Sequence, residues 1–228
     1  TTNQTMWLVS DIRSGSQNSD PGSAGSGQDG DVLFFKATTG SNRFWHTYNH
    51  SNGTLTELGK YWHSSGGFIQ TIGDTLYMSA QESSSDDEEV WAYSAGNATA
   101  WMIEDIYSGS ASSGSQVGFY FNAVVNDILL FDAWSGVSGD PRSIWAYNPA
   151  NATAWELQSS DSNFGDGHVS AATTSCGNSQ VIDEVAYICA TGGAGGFELW
   201  AYNTTNETIW LVVDINPTGD SFPGWRLS

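Results

Sequence analysis

The stretch LWAYNTTNETIWLVVDINPTGDS, Leu199 to Ser221, decides the fold. It sets two β-forming runs, each carrying a tryptophan, on either side of a polar connection with two consecutive Asn-x-Thr triplets. Trp, Tyr, Ile and Val favour strands and Asn favours turns, so the stretch reads as a β-hairpin. Outward from it the same pattern returns as VWAYSAGNATAWMIEDIYSGS from Val90 and as IWAYNPANATAWELQSS from Ile144. A degenerate form, FWHTYNHSNGTLTEL, begins at Phe44, and NQTMWLVSDIRSGS, from Asn3, holds the second half alone.

The leading tryptophans are Trp45, Trp91, Trp145 and Trp200, spaced 46, 54 and 55 residues apart. Asn97, Asn151 and Asn206 each open an Asn-x-Thr triplet six residues past the tryptophan, whereas Asn52 stands seven past it. Between these hairpins lie further apolar pairs that turn at Gly30-Asp31, at the Gly-Asp of GFIQTIGDTLYMSA, at Asn126-Asp127 and at Asp183. Each unit therefore reads as two successive hairpins, and no segment sustains a 3.6-residue period with caps, so essentially no helix is predicted.

Four-stranded units of about 40–50 residues are the signature of propeller blades, with a solenoid of shorter coils as runner-up. The predicted fold is all-β: a β-propeller-like array of about four four-stranded antiparallel blades, with partial units at both ends. It forms one repeat domain over 1–228, with a partial unit at 1–20, repeats at about 21–62, 63–110, 111–161 and 162–216, and a stub at 217–228. Met6–Ile12 reads as an extra last strand, and FPGWRLS as the opening of another unit. Such ends belong either to a segment of a longer array or to copies that join end to end, since open heterologous contacts polymerise.

Leu199-Trp200, Asn203-Thr204-Thr205, Leu211-Val212 and Asp214-Ile215-Asn216-Pro217 resemble the bacterial secreted repeat written ELWxxDGTxxGTxLVKDINPG. Val90–Ile106 keeps the spacing and the Asp-Ile pair, and the unit from Ile144 keeps only the front half. The resemblance implies propeller modules of large surface or secreted proteins, mostly without a defined activity. Asn- or Ser-based turns replace the family's Asp-Gly-Thr, and Asn-x-Thr stands where its second glycine would fall, which points to a glycosylated relative.

Seven sequons are present, at Asn3, Asn49, Asn52, Asn97, Asn151, Asn203 and Asn206. Turn propensity accounts for Asn and Thr separately. Their repeated spacing at solvent-facing tips points to N-glycosylation, so covalent N-glycans are expected. Cys176 and Cys189, the only cysteines, flank a hairpin turning at Asp183. Disulfide pairing there implies an oxidising, extracellular setting, with two buried thiols as the alternative.

The chain of 228 residues carries 25 acids against 6 bases, a formal charge of -19. That balance disfavours nucleic acid and anionic membranes as partners. No apolar run reaches the roughly 18 residues of a membrane span. Without an initiator Met or a signal peptide, the chain is expected to be a mature or excised form.

For metals, Asp161, Asn163 and Asp166 are weak calcium candidates in DSNFGDG, which lacks the distal glutamate of a calcium loop. The acidic run Asp86–Glu89 reads as a solvated loop, and Asp11, Asp105 and Asp214 as turn caps closing last strands. GSGQDG matches a dinucleotide fingerprint only by accident, because a strand rather than a helix follows. His46, His50, His63 and His168 have no metal-ligand spacing, and no catalytic motif occurs, so no enzyme is predicted. Trp62, Trp134 and Trp225 fall outside the repeated positions and are candidates for a sugar platform. The expected function is a structural extracellular glycoprotein, a subunit or segment of a fibre, sheath or surface layer. The alternative is a carbohydrate-binding or adhesion propeller module.

Overall fold

In each unit a tight turn at positive φ folds the chain back: Gly30 at 51°, Gly73 at 58°, Asn126 at 47° and Asp183 at 52°. Glycine enters this region freely, and Asn and Asp do so more readily than other side chains, which is why they hold the turns. The structure, a computed structural model, describes residues 6–22, 26–62, 69–106, 118, 122–134, 142–158, 170–171, 180–191 and 196–223.

All regular elements among the described residues are strands. The first blade is β1 (Ser26–Asp29), β2 (Val32–Thr39), β3 (Asn42–Asn49) and β4 (Thr54–Tyr61). The second is β5 (Ile69–Ile72), β6 (Thr75–Ala80), β7 (Glu89–Ser94) and β8 (Thr99–Glu104). The third is β9 (Asn122–Val125), β10 (Ile128–Ala133), β11 (Ser143–Asn148) and β12 (Thr153–Glu156). After β13 (Ser170–Ala171), the fourth is β14 (Gln180–Ile182), β15 (Val185–Thr191), β16 (Glu198–Asn203) and β17 (Thr208–Val213). Within each blade the strands pair antiparallel in chain order. The short β13 bridges β11 and β15 and joins the third and fourth blades into one sheet.

Because side chains alternate across a strand, each blade has two faces, and each buries both only if neighbours lie on both sides. Three interblade cores result. Phe34, Trp45 and Trp62 of the first blade meet Leu76, Met78, Trp91 and Tyr93 of the second. Tyr77 and Val90 of the second meet Leu129, Phe131 and Tyr147 of the third. Leu130 and Ile144 of the third meet Ile188, Trp200 and Tyr202 of the fourth. Every junction therefore sets the back face of one blade against the front face of the next.

The hairpin registers correct the tryptophan alignment. Trp91 pairs with Met78, Trp145 with Phe131 and Trp200 with Ile188, all on front faces. The equivalent residue of the first blade is His46, opposite Phe35, while Trp45 stands opposite Lys36 on the back face. A one-residue offset reverses the facing of a strand side chain. Trp45 thus takes the place of Val90, Ile144 and Leu199, and its indole N–H donates to the Ser79 carbonyl of the next blade at 3.0 Å. Asn52 is six residues past His46, so the anomalous spacing disappears, and the residue common to all four units is Tyr48, Tyr93, Tyr147 and Tyr202.

Met6–Ile12 is not the expected extra strand. All four third strands already carry their own fourth strand, so no ladder edge of that kind is open to it. It lies instead over the front face of the first blade, where Leu8, Val9 and Ile12 line an apolar cavity of about 360 Å³ with Leu33, Phe35, Tyr48 and Leu55. Near the other end, the chain folds back on β16. Ser221 N–H donates to the Phe197 carbonyl at 2.9 Å, and the rings of Phe197 and Phe222 stack 5.7 Å apart.

Candidate functional site

The most repeated feature is the tip joining the third and fourth strands. Asn52, Asn97, Asn151 and Asn206 are exposed, and each Oδ1 accepts a hydrogen bond from the backbone N–H two residues on. Those donors are Thr54 at 2.9 Å, Thr99 at 3.2 Å, Thr153 at 3.2 Å and Thr208 at 3.3 Å. The hydroxyls of Thr99, Thr153 and Thr208 donate to the same oxygens at 2.5, 2.6 and 2.6 Å. The residue between is left-handed: Gly53 at 70°, and Ala98, Ala152 and Glu207 at 55°. The Asn-x-Thr spacing therefore has a conformational cause of its own, an Asx turn closed by a threonine.

Asn49 and Asn203 differ. They are half-buried, and their Oδ1 atoms accept from Ser51 N–H at 2.9 Å and Thr205 N–H at 2.8 Å at the entry to the tip. Asn148, at the same place, accepts from Ala150 N–H at 2.9 Å although Asn148-Pro149-Ala150 is no sequon. This position calls for asparagine whether or not a sequon follows. Asn3 lies outside the described residues, as do Cys176, Asp161, Asn163, Asp166, His63, His168 and Trp225. Cys189 lies in β15, and no described cysteine is free.

The corner after the fourth strand is held by a buried acid from the start of the third. Glu89 and Glu198, at the starts of β7 and β16, are 3% and 2% exposed. Glu89 Oε2 accepts from Ile106 N–H at 3.1 Å, and Glu198 Oε2 accepts from Ile215 N–H at 2.9 Å and from the Ser221 hydroxyl at 2.6 Å. These buried glutamates fix the turn beside the exposed Asp105 and Asp214. Nor is the acidic run simply a solvated loop, since Glu88 and Glu89 are both buried. Asp86 Oδ2 accepts from Ser83 N–H at 2.9 Å. The signal was available in sequence, an acid two residues before Trp91 and again before Trp200.

Beside that corner, Glu82, Asp86, Asp87, Glu89 and Asp105 line a cavity of about 320 Å³. Asp87, Glu89 and Asp105 bring one carboxylate oxygen each within 4.8 Å of one another. Burial first, then the charges of Asp105 and Asp86, raise the Asp87 carboxyl above the usual carboxylate range. Three oxygens are half or less of the six to eight that calcium takes, and Glu89 already spends one on Ile106. The arrangement can take a hard cation only with water or further ligands.

Between the first two blades, Lys36 is fully buried, with its ammonium 4.7 Å from the Trp45 ring and 5.0 Å from Trp62. Burial, opposed by the charge of Glu88, brings its pKa down to about 8. Trp62, 8% exposed, is thereby a core residue and not a sugar platform, and Trp134 is half-buried. The exposed indoles among the described residues are instead Trp7, at 71%, and Trp101 and Trp210, each 39% exposed at equivalent places on the fourth strands. Of the described histidines, His46 is buried and stacked on Phe35 at 5.6 Å. Its pKa is lowered by burial, against the opposing Phe44 carbonyl and Glu57.

The fold is that of a β-propeller-like blade array. The chain is similar in structure to a prolyl endopeptidase, at 12% identity and a TM-score of 0.51, over 83% of this chain and 26% of the other. It is similar also to a puromycin-hydrolysing peptidase of Mycobacterium tuberculosis, at 9% identity and a TM-score of 0.52, over 83% and 29%. TolB from Acinetobacter baumannii matches at 13% identity and a TM-score of 0.42, over 79% and 40%. The chain thus spans between about a quarter and two fifths of these proteins' lengths, and at such identities the likeness concerns the fold alone. No protein-family model and no curated protein matches the sequence.

Proposed function

We propose that this chain is a structural extracellular glycoprotein, a subunit or segment of a fibre, sheath or surface layer, N-glycosylated at its blade tips. The observation that carries the reading is repetition. All four blades present an exposed asparagine in the same Asx turn at the same tip. Among the described residues, the departures from the repeat, such as Lys36, Trp45 and the Asp132–Arg142 ion pair, are packed inside or between blades rather than gathered at a surface cleft. A non-enzymatic scaffold accounts for this better than a catalyst. Asn52, Asn97, Asn151 and Asn206 are the preferred acceptors because their side chains are exposed, and Cys176–Cys189 pairing belongs to the same secreted reading.

Glycopeptide mass spectrometry of the native protein, with electron microscopy of the native material, tests this. Glycans at the four tips within ordered polymers are expected. Bare asparagines on discrete particles overturn the reading. Trp101 and Trp210, partly exposed on the outer strands of the second and fourth blades, favour carbohydrate binding as the second reading, since aromatic faces stack on sugar rings. Binding on a glycan array that is lost in Trp101→Ala and Trp210→Ala would select it.

A further inference from the structure

The blade array ends in two faces that no other blade of the described chain covers. The back of the fourth blade shows Ile182 at 60%, Val212 at 40% and Ile215 at 54% exposure. Counted from the shared turns and hairpin registers, these residues occupy the places of Ile72, Ile103 and Ile106 in the second blade. There the same positions pack against the third blade, in the core built around Tyr77, Leu129, Phe131 and Tyr147. Tyr187 matches Tyr77 in the same way.

The front of the first blade gives the other half. Leu33, Phe35 and Tyr48 occupy the places of Leu129, Phe131 and Tyr147, the residues of the third blade that meet the second. Leu33 is 42% exposed, whereas Leu129 is fully buried. The covering strap of residues 8–12 fills this face poorly. It leaves the apolar cavity of about 360 Å³, and its own Trp7 and Leu8 remain 71% and 78% exposed.

We infer that the back face of the fourth blade docks on the front face of the first blade of a second copy. Once the strap of residues 8–12 is displaced, the contact repeats the junction between the second and third blades, with Tyr187 against Tyr48 where Tyr77 meets Tyr147 at 5.9 Å. The occupant follows from continuity with the internal junctions. One open face is a back and the other a front, and all three internal contacts pair a back with a front. Two unlike faces on one chain make the contact heterologous: it closes a ring where the rotation between copies closes and adds copies in one direction where it does not. This inference rests on the structural-assembly reading above and gives it a mechanism and a polarity.

Leu33→Asp blocks only the front and Val212→Asp only the back, and both positions are exposed enough to accept the change without unfolding. Sedimentation velocity of the full glycosylated chain is the measurement. The wild type associates into dimers or larger species as concentration rises, and each variant alone stays monomeric because every contact needs one front and one back. An equimolar mixture of the two recovers dimers and stops there, which also shows that both variants fold. Ile215→Asp provides a second block of the back face and behaves as Val212→Asp does. Wild type that stays monomeric at about 1 mM, the scale of a very weak contact, overturns the inference. So does self-association of either variant alone. Native polymers that both variants still build as the wild type does overturn the end-face contact while leaving the structural role standing. Native material that is monomeric removes both.

Discussion

At the scale of the residue, the tips carry two separable demands. Asn97 supplies an Asx acceptor to Thr99 and, in the proposed function, an amide for a glycan. An aspartate keeps the acceptor and loses the amide. In chain produced without glycans, Asn97→Asp is expected to melt close to wild type. Asn97→Ala, which removes both hydrogen bonds, is expected to lose about 0.5–1.5 kcal/mol, read by urea titration. Lys36 makes a second residue-level prediction. Its pKa falls from 10.5 to about 8 on folding, chiefly through burial. The unfolded chain therefore holds a proton that the folded chain has released between those values. Stability rises as pH climbs from about 8 and loses that gain as pH falls back through it. Tyr77 and Tyr202, pushed up to about 12 by burial, act in the opposite sense above about pH 10. Melts across this range are expected to peak near pH 10, and Lys36→Met to flatten the rising limb. The acceptor asparagines were legible in the sequence as a spaced pattern. Their Asx geometry was not, because one Asn-x-Thr triplet satisfies both a turn and a sequon.

At the scale of the element, the hairpin tips hold a modest strain. Ala98 and Ala152 sit at φ 55°, where a Cβ is unfavourable by roughly 1 kcal/mol, while the first blade uses Gly53 at the same place. Ala98→Gly and Ala152→Gly preserve their sequons and are each expected to raise the denaturation midpoint slightly, by up to about 1 kcal/mol in free energy. No change at these sites, measured by chemical denaturation, would show that the tips relax the strain by other means. The strands and their turns were legible from apolar runs broken by Gly, Asn and Asp. The facing of β3 was not. FWHTY aligns by eye with VWAYS on tryptophan, yet only the register against β2 reveals that His46 fills the tryptophan place. A motif match ignores parity, and parity decides the face. The caps Glu89 and Glu198 escaped for a related reason, since an acid at a strand start looks solvated until its N–H partner, more than a dozen residues on, folds back to it.

At the scale of the whole molecule, a formal charge of -19 sits on a chain of four blades. Like charges repel within one copy and between copies, and salt screens them over about 10 Å at 0.1 M. Raising ionic strength from about 10 to 200 mM is expected to raise the melting temperature and to strengthen association together. A contact that weakened with salt would instead point to ion pairs across it. The blade array was legible from the repeat, because a period of about fifty residues with four apolar runs admits few architectures. Its open ends were legible only as counts of strands. That Met6–Ile12 lies over a face rather than joining a ladder depended on every third strand being already occupied. The uniform pairing of back with front has a consequence for how such a chain can change over generations. Duplicating or deleting one whole unit creates no junction of a new kind, so the number of units can drift by recombination while the rules that hold each neighbour in place stay the same.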